Sequence, residues 1–388
     1  MATGPLEGVR VVELGVWVAG PGAGGLLAEW GADVVKVEPP AGDPMRQLFQ
    51  LTAGHGQPEV PPFDLDNRGK RSVVLDLRAP DGREAMQRLV ATADVFVTNL
   101  RPDAVERLGL GPEELLAGDS RLVYARITGF GSTGPDADRP GYDVGAFWAR
   151  TGMARAFTPD TEPPADIRAG MGDHVTAMSV VAGINAALYQ RASTGRGQLV
   201  DTSLLRAGIW CIGWDLGIQL RFGKLAPTVP RTERMNPMVN PYRAGDGGWF
   251  WLLGLESDRH WPALARAVGH PEWIADEPFA SGRGRRHHAA EVVAAMDAAF
   301  ATRPRAEWYE RFDAEGVWFA PVNSPAEVLE DPQAIAVGAF VDVPGGRGGA
   351  AHRAVASPVD FDGVPAEPVG PVPALGEHTA EVLAELGL

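Results

Sequence analysis

The stretch VRVVELGVWVAGPGAGGLLAEWGADVVKV, residues 9–37, contains two short apolar runs separated by a glycine-rich segment and a helical pattern. Residues 9–14 and 33–37 are nearly continuous in apolar side chains, which is typical of strands buried on both faces of a parallel sheet. Between them, residues 24–32 (GGLLAEWGA) predict a helix that ends at Gly31. A strand, a helix and a second strand in this order indicate an α/β fold.

The same alternation continues along the chain. Further strands are predicted at residues 72–77, 94–98 and 122–127, with an amphipathic helix at 79–91. The longest apolar helical run, residues 174–191, carries little charge on any side and is therefore expected to be buried all round. Near residue 225 the composition changes, and a Pro-rich polar stretch leads into a module with aromatic strands and helices, which indicates a separate α+β domain.

Composition excludes several classes of protein. The chain has 388 residues, 45% of them hydrophobic, and a net charge of −15, which argues against a nucleic-acid partner because phosphate binding needs clustered cations. The single cysteine, Cys211, excludes an intramolecular disulfide and is expected to be buried in an apolar helix. No apolar run of about 18 residues and no signal-peptide pattern occurs, so we expect no membrane contact and a cytoplasmic location.

A glycine-rich motif raises one alternative. Gly20, Gly22 and Gly25 fit the G-x-G-x-x-G pattern of dinucleotide-binding proteins, and Glu38 stands where a ribose-binding acid would lie. In that fingerprint, however, the first glycine directly leaves the first strand, whereas here residues 15–19 intervene. Close helix packing is the preferred interpretation, and an NAD-dependent oxidoreductase remains an alternative.

Asp173 is the acid that stands out, because it opens the longest apolar helix. A carboxylate at a helix N-terminus is expected to be held ionised by backbone N–H groups and the helix dipole. Gly170 and Gly172 flank it and would let a substrate approach. It could be a helix cap, or a nucleophile that attacks an activated carbonyl. Asp66 is predicted to be a loop acid with no evident role, and no metal-site motif occurs, so no metal is expected.

Taken together, the motifs give a resemblance that covers nearly the whole chain in order. It resembles the family III CoA-transferases in the segments PLEGVRVVELG, GADVVKVEPPAGDPMR, NRGKRSVVLDL, VFVTNLRPDAVERLGL, ITGFGSTGPDADRPGYD, MGDHVTAMSVVAGINAALYQRASTGRGQLVDTSLL and LGEHTAEVLAELGL. The resemblance implies a Rossmann-like large domain with a parallel sheet plus a smaller α+β domain, in an interlocked homodimer. The large domain is expected at residues 1–205, completed by 335–388, with a linker helix region at 206–224 and the small domain at 225–330.

The resemblance also implies the site residues. The family's nucleophilic aspartate falls on Asp173 and its active-site tyrosine on Tyr142. CoA-contacting positions fall on Val16, Trp17, Val18, Leu75, Arg78, Asn99, Leu100, Arg107 and Leu108. Arg46, Lys70 and Arg71 belong to matching motifs and are expected to supply positive charge for the CoA phosphates.

The implied reaction moves CoA from an acyl-CoA donor to a free carboxylic acid through an aspartyl-CoA thioester. Acyl-CoA and the acceptor acid are then substrates, and no tightly bound cofactor is expected. Aromatic residues suggest an apolar acyl pocket, namely Trp17, Trp148, Trp249, Phe250 and Trp251. A related branch racemises 2-methylacyl-CoA but has a histidine at the position of Tyr142, and a tyrosine with a pKa of about 10 is a poor base. Racemisation, and acyl-CoA binding without catalysis, remain alternatives.

Overall fold

A computed structural model of the chain describes residues 4–48, 60–345, 350–364 and 370–388. In this described part, six parallel strands pair in the order β3-β2-β1-β4-β5-β6. They are β1 Arg10–Leu14, β2 Asp33–Glu38, β3 Arg71–Val74, β4 Val95–Thr98, β5 Val123–Thr128 and β6 Leu199–Ser203. This order is that of a Rossmann sheet, whose direction of winding reverses between β1 and β4. The predicted α/β fold with a parallel sheet is confirmed.

Helices cover both faces of this sheet. The helices between residues 19 and 222 are α1 Ala19–Glu29, α2 Pro61–Asn67, α3 Pro80–Val90, α4 Pro102–Arg107, α5 Pro112–Gly118, α6 Met153–Ala156, α7 Met171–Thr194, α8 Leu204–Cys211 and α9 Gly213–Phe222. One core cluster joins α1 and α7 to one face, and a second joins α3 and the C-terminal helix to the other. Because both faces are covered, the strands are rich in apolar residues, although β1 and β2 also carry the buried charges Glu13, Lys36 and Glu38.

Helix α1 begins earlier than predicted. It starts at Ala19, so the glycine-rich segment lies inside the helix and does not form a phosphate-binding turn. A Cβ on Gly24 would overlap the Glu13 carboxylate, and one on Gly25 would lie 2.7 Å from the Asp66 carbonyl oxygen. The glycines therefore let α1 pack closely against β1 and α2, which removes the structural basis for the dinucleotide fingerprint.

Helix α7 is less enclosed than predicted. Its inner side is buried through Thr176, Val180 and Ile184, among others. On the other side, Met178 is 45% exposed and Tyr189 is 84% exposed in the single chain. The prediction that this helix is buried all round is therefore wrong for the isolated chain. Cys211, at the end of α8, is likewise exposed and not buried as expected.

The described chain divides into two compact units. The first contains Met1–Arg155, Ala165–Leu225 and Ile335–Leu388, and the second contains Ala156–Pro164 and Ala226–Ala334. The first unit also includes the antiparallel pair β10 Phe340–Val343 and β11 His352–Val355, and the C-terminal helix α16 Thr379–Glu385. The stretch 206–224, predicted as a linker helix region, is largely helical and belongs to the first unit.

The second unit is built on an antiparallel sheet with an aromatic core. Its strands are β7 Pro241–Arg243, β8 Trp249–Leu252 and β9 Phe319–Val322. Its helices are α10 Ser257–Val268, α11 Gly282–His287, α12 Ala289–Phe300, α13 Arg305–Glu315, α14 Pro325–Leu329 and α15 Pro332–Ala336. Phe250, Phe300 and Phe312 meet in its core. Phe250 is thus a core residue of this unit and not the pocket residue that the sequence suggested.

None of the helices in the described ranges is long and apolar enough to cross a membrane.

Candidate active site

A cleft of about 520 Å³ opens at the carboxyl edge of the parallel sheet. The ends of β1 and β2 and the residues that follow β3 and β4 line it. This is the edge at which open α/β sheets bind ligands. Five residues predicted to contact CoA line this cleft, namely Val16, Leu75, Arg78, Leu100 and Leu108.

The loop that follows β1 is held rigidly in place. The Asn99 side chain accepts a hydrogen bond from the Val16 backbone N–H (2.9 Å) and donates one to the Val16 carbonyl oxygen (2.7 Å). Trp17 adopts a left-handed backbone conformation with φ of 65°, which is unusual for a bulky residue. Its N–H donates to Asp43 Oδ1 (3.1 Å), and the buried Asp43 is itself paired with Lys36. The hydrogen bonds of Asn99 and Asp43 therefore fix the backbone position of Val16 and Trp17.

A buried ionic network lies behind this loop. Glu13 accepts hydrogen bonds from Lys36 at 2.9 Å and from Lys70 at 2.6 Å, and all three side chains are fully buried. Burial alone would raise the pKa of Glu13, but the two ammonium groups outweigh it and hold the pKa below its ordinary value. Lys70 cannot meet a solvent-borne phosphate from this position, so its predicted role is wrong.

The arginines predicted to meet CoA phosphates have partners in the chain. Arg46 forms two 2.7 Å hydrogen bonds to Glu38, and Arg71 pairs with Asp33 and Glu385. The charge of Arg71 is therefore used to hold the C-terminal helix against the sheet, which corrects the expectation for that residue. The role of Arg46 stays a prediction, although Glu38 already neutralises its charge.

Two further predicted arginines are more accessible. Arg78 lines the cleft with its side chain 84% exposed, and it pairs with Asp76. Arg107 lies outside the cleft lining, beside Leu108, and its exposed side chain pairs with Asp103 one helical turn away. Exposed ion pairs of this kind contribute little to stability, so either guanidinium can exchange its partner for a ligand phosphate.

The loop after β1 also contacts the segment that carries the catalytic candidates. The Trp17 ring meets Tyr142 edge-to-face, with ring centroids 6.1 Å apart. Val18 lies beside Gly170, since a Cβ added to Gly170 would be 3.8 Å from Val18 Cγ1. Trp17, Val18 and Tyr142 therefore connect the cleft with the start of α7.

Asp173 is the third residue of α7, in the first turn, while Gly170 is the N-cap. Burial, and then the negative charge of Asp143, raise the pKa of Asp173 to about 7. The expectation that the helix end holds this carboxylate firmly ionised is therefore wrong, because loss of solvent and a second carboxylate outweigh the dipole. A poorly solvated carboxylate is a stronger nucleophile than one stabilised by hydrogen bonds.

Two residues next to Asp173 were missed by the sequence analysis. His174 Nε2 lies 2.9 Å from Asp66 Oδ1, and the Asp66 side chain is only 3% exposed. The hydrogen bond to Asp66 raises the pKa of His174 above its ordinary value. Asp66 lies in α2 and not in a loop. Asp66 and His174 are 108 residues apart, so nothing in the sequence indicates that they pair. The only signal was that His174 directly follows Asp173.

The other aromatic residues proposed for an acyl pocket are spread over both units. Trp148 lies in the π-helical turn Val144–Ala149 of the first unit and donates a hydrogen bond to the Ala165 carbonyl oxygen. Trp249 and Trp251 belong to β8 of the second unit. Among the residues that the structure describes, no group of three His, Cys, Asp or Glu side chains is placed to hold a metal ion.

The open sheet with its cleft at the winding reversal places the chain among Rossmann-type α/β proteins that bind a ligand at the carboxyl edge. Comparison with known proteins identifies the family: the chain belongs to CoA-transferase family III, whose sequence profile matches residues 6–379. It is accordingly a CoA-transferase, and the resemblance inferred from the motifs is confirmed.

Relatives match over almost their full length. The chain is 30% identical over 385 residues to (R)-2-hydroxy-4-methylpentanoate CoA-transferase from Clostridioides difficile, covering 98% of this chain and 95% of the relative. It is 34% identical over 404 residues to formyl-CoA:oxalate CoA-transferase from Streptomyces avermitilis, covering 100% of this chain and 96% of the relative. A CAIB/BAIF family protein from Brucella suis has a solved structure with a TM-score of 0.87 and 32% identity, covering 99% of this chain and 100% of that one.

Proposed function

We propose that Asp173 carries the CoA transfer as a covalent nucleophile. The observation that carries this proposal is a desolvated carboxylate in the first turn of α7, with a pKa near 7, next to the loop that leads into the cleft. At neutral pH, about half of such groups are ionised, and the ionised form has little solvent to shed before it attacks.

The reaction proceeds through exchanges at carbonyl carbons. The Asp173 carboxylate attacks the donor thioester, which breaks the C–S bond and gives an acyl-aspartyl anhydride and CoA thiolate. The thiolate attacks the aspartyl carbonyl and releases the donor carboxylate, which leaves an aspartyl-CoA thioester. The acceptor carboxylate then attacks the aspartyl carbonyl and expels the thiolate. The thiolate finally attacks the acceptor carbonyl, which forms the new acyl-CoA and restores Asp173.

The energy of the thioester is retained at each step, so the exchange needs no external energy source. Each addition places negative charge on a carbonyl oxygen. The Met171 N–H already donates to the Arg168 carbonyl oxygen, so the N–H groups of Gly172 and Asp173 are the ones at the start of α7 that can stabilise that charge.

We propose that CoA binds in the cleft at the carboxyl edge of the sheet. Apolar lining from Leu75, Leu100 and Leu108 suits the adenine and pantetheine portions, and Arg78 at the rim suits a phosphate. The loop at residues 16–18 connects this cleft with α7, so the thiol end of CoA can point toward Asp173.

Hydroxylamine trapping tests the mechanism. The enzyme is incubated with butyryl-CoA and hydroxylamine, digested, and examined by mass spectrometry. A hydroxamate on Asp173 is expected, together with loss of transfer in Asp173→Ala. Full transfer by Asp173→Ala would refute the mechanism, and exchange of the α-proton in deuterated water without any acceptor acid would indicate racemisation instead.

We further propose a homodimer in which the two chains interlock. Its support is the exposed apolar surface of α8 and α9, where Trp210, Trp214 and Leu220 are each at least 84% exposed in the single chain. Monomeric proteins rarely leave such a patch open to water. Light scattering should give twice the chain mass of 41.2 kDa, and tagged and untagged dimers should exchange chains only after unfolding. A monomer would contradict the proposal.

We also propose that the enzyme acts in the cytoplasm, where acyl-CoA thioesters are formed and consumed. Fractionation of cells that express the native chain tests this location.

A further inference from the structure

The imidazole of His174 is fixed in orientation by a buried carboxylate. Nε2 faces Asp66 Oδ1 at 2.9 Å, and Asp66 is almost fully enclosed, with its second oxygen Oδ2 lacking a hydrogen-bond partner in the described residues. A carboxylate bonded to one ring nitrogen sets the ring orientation and favours the protonated form. The hydrogen bond to Asp66 therefore holds the ring at one place, directly after Asp173.

The opposite edge of the ring is open. Nδ1 of His174 has no hydrogen-bond partner among the described residues, and the side chain is 43% exposed. Glycines lie beside the ring: a Cβ on Gly22 would be 3.4 Å from Cδ2, and one on Gly170 would be 3.9 Å from Cε1. A ligand can thus approach Nδ1 from the side on which α7 begins.

The negative charges around Asp173 favour a positively charged group that can bind a substrate carboxylate. Asp143 and Asp66 both add negative charge at Asp173, and His174 is the group that opposes them. CoA transfer brings in the acceptor as a second carboxylate and expels the donor as a third. Like charges in a poorly solvated site repel strongly, so a carboxylate substrate needs a fixed positive partner there.

Space for the rest of an acid lies next to His174. A cavity of about 190 Å³ is lined by His174, Asp66 and Glu29 together with apolar side chains, among them Leu26, Leu65 and Met178. The charge of Glu29 is paired with Arg68. Apolar residues make up most of this lining and suit an alkyl or aryl group.

We propose that His174, oriented by Asp66, binds the carboxylate of the acceptor acid through Nδ1, and that the apolar group of this acid occupies the adjoining cavity. The substrate class is thus a small monocarboxylic acid with an apolar substituent. By reversibility, the same imidazolium stabilises the departing donor carboxylate. This inference rests on the proposed function, because it assigns a role within the transfer at Asp173. Asp66 acts as a positioning residue.

The test compares two histidine substitutions. In His174→Gln, the KM for isovalerate with butyryl-CoA as donor should rise about 10- to 100-fold, as expected for the loss of one hydrogen bond to a charged group. The KM for butyryl-CoA should change by less than about threefold, because His174 does not line the cleft proposed for CoA and the thioester donor carries no carboxylate at its acyl group. A hydroxamate should still form on Asp173, although more slowly if His174 assists departure of the donor carboxylate. His270→Gln is the matched control, since His270 is also paired with an acid, Glu272 at 2.8 Å, and is 42% exposed.

A second variant guards against a folding defect. Asp66→Asn leaves the imidazole in place but removes the charge that orients it, so the acceptor KM should rise while butyryl-CoA binding is retained. Wild-type enzyme should also have a lower KM for isovalerate than for formate, because only isovalerate fills the cavity.

The outcomes separate the two proposals. If His174→Gln and Asp66→Asn keep the wild-type acceptor KM while Asp173 still forms a hydroxamate, the acceptor-binding role of His174 is refuted and the proposed function stands. An equal KM for formate and isovalerate would refute the assignment of the cavity. If the wild-type enzyme forms no hydroxamate on Asp173, the proposed function fails and the inference fails with it.

Discussion

Replacing Asp173 by Asn is expected to abolish CoA transfer and yet to stabilise the folded chain at alkaline pH. The substitution keeps the size of the side chain but removes its ability to ionise. In the native protein, burial and the charge of Asp143 penalise the ionised form, and this raises the pKa from the ordinary value of 3.8 to about 7. The asparagine side chain cannot ionise, so the folded variant does not lose this free energy when the pH rises.

The magnitude follows from the difference between those two pKa values. At 1.36 kcal/mol for each pH unit, it corresponds to roughly 4 kcal/mol. The folded state binds the proton more tightly than the unfolded state, so the contribution of Asp173 is most favourable below pH 3.8 and falls as the pH rises toward 7. Roughly 2 kcal/mol of the penalty is present at pH 5.5, and all of it at pH 8.5.

Chemical unfolding at these two pH values measures the effect. The stability advantage of Asp173→Asn over the wild type should grow by about 2 kcal/mol between pH 5.5 and pH 8.5. Asp138→Asn is the control, since it removes the same charge from an exposed residue of a chain with a net charge of −15. An advantage that does not grow with pH, or one that Asp138→Asn reproduces, would refute the argument that Asp173 is held in a desolvated state.

Three further substitutions test the parts that support the site. Asn99→Ala removes both hydrogen bonds that clamp the loop after β1; we expect the KM for acyl-CoA to rise about tenfold in steady-state assays, at roughly 1 kcal/mol for each lost bond. Gly24→Ala would push a methyl group into the Glu13 carboxylate and should destabilise the chain by about 3 kcal/mol or more in thermal unfolding. Gly118→Ala is the control: a Cβ there has no atom within 4 Å, so this variant should not be destabilised. Arg78→Ala should weaken CoA binding, and salt should weaken the wild type more than the variant, which isothermal titration at low and high ionic strength can show.

Strand positions could be predicted because burial on both faces leaves a simple signature. The apolar runs at 9–14 and 33–37 correspond to β1 Arg10–Leu14 and β2 Asp33–Glu38. The start of α1 could not be predicted in the same way. Glycine is a poor helix former, so a glycine-rich stretch indicates a loop unless tertiary contacts require close approach. Here the contacts with Glu13 and Asp66 require it, and those residues are distant in the sequence.

The candidate site shows the same division between local and distant information. Asp173 could be recognised from its motif and its place at the start of a long helix. Its electrostatic environment could not, because Asp143 and Asp66 come from other elements that approach Asp173 and His174 only in the folded chain. Positive charge was also misread: Lys70 and Arg71 belong to a basic motif, but both neutralise carboxylates within the chain. Charge in a sequence does not reveal its partner.

The acidic surroundings of Asp173 have a chemical consequence. A carboxylate that is well solvated or paired with a fixed cation would be stable but unreactive toward a thioester. In the proposed mechanism, burial beside Asp143 makes Asp173 reactive, and the same arrangement repels the carboxylates that enter and leave. The proposed role of His174 resolves the conflict, because its Nε2 is bonded to Asp66 and its Nδ1 is left to bind a substrate carboxylate. The stability lost at Asp173 and the orientation of His174 are therefore two parts of one requirement, which is to hold negative charges close together without neutralising the one that reacts.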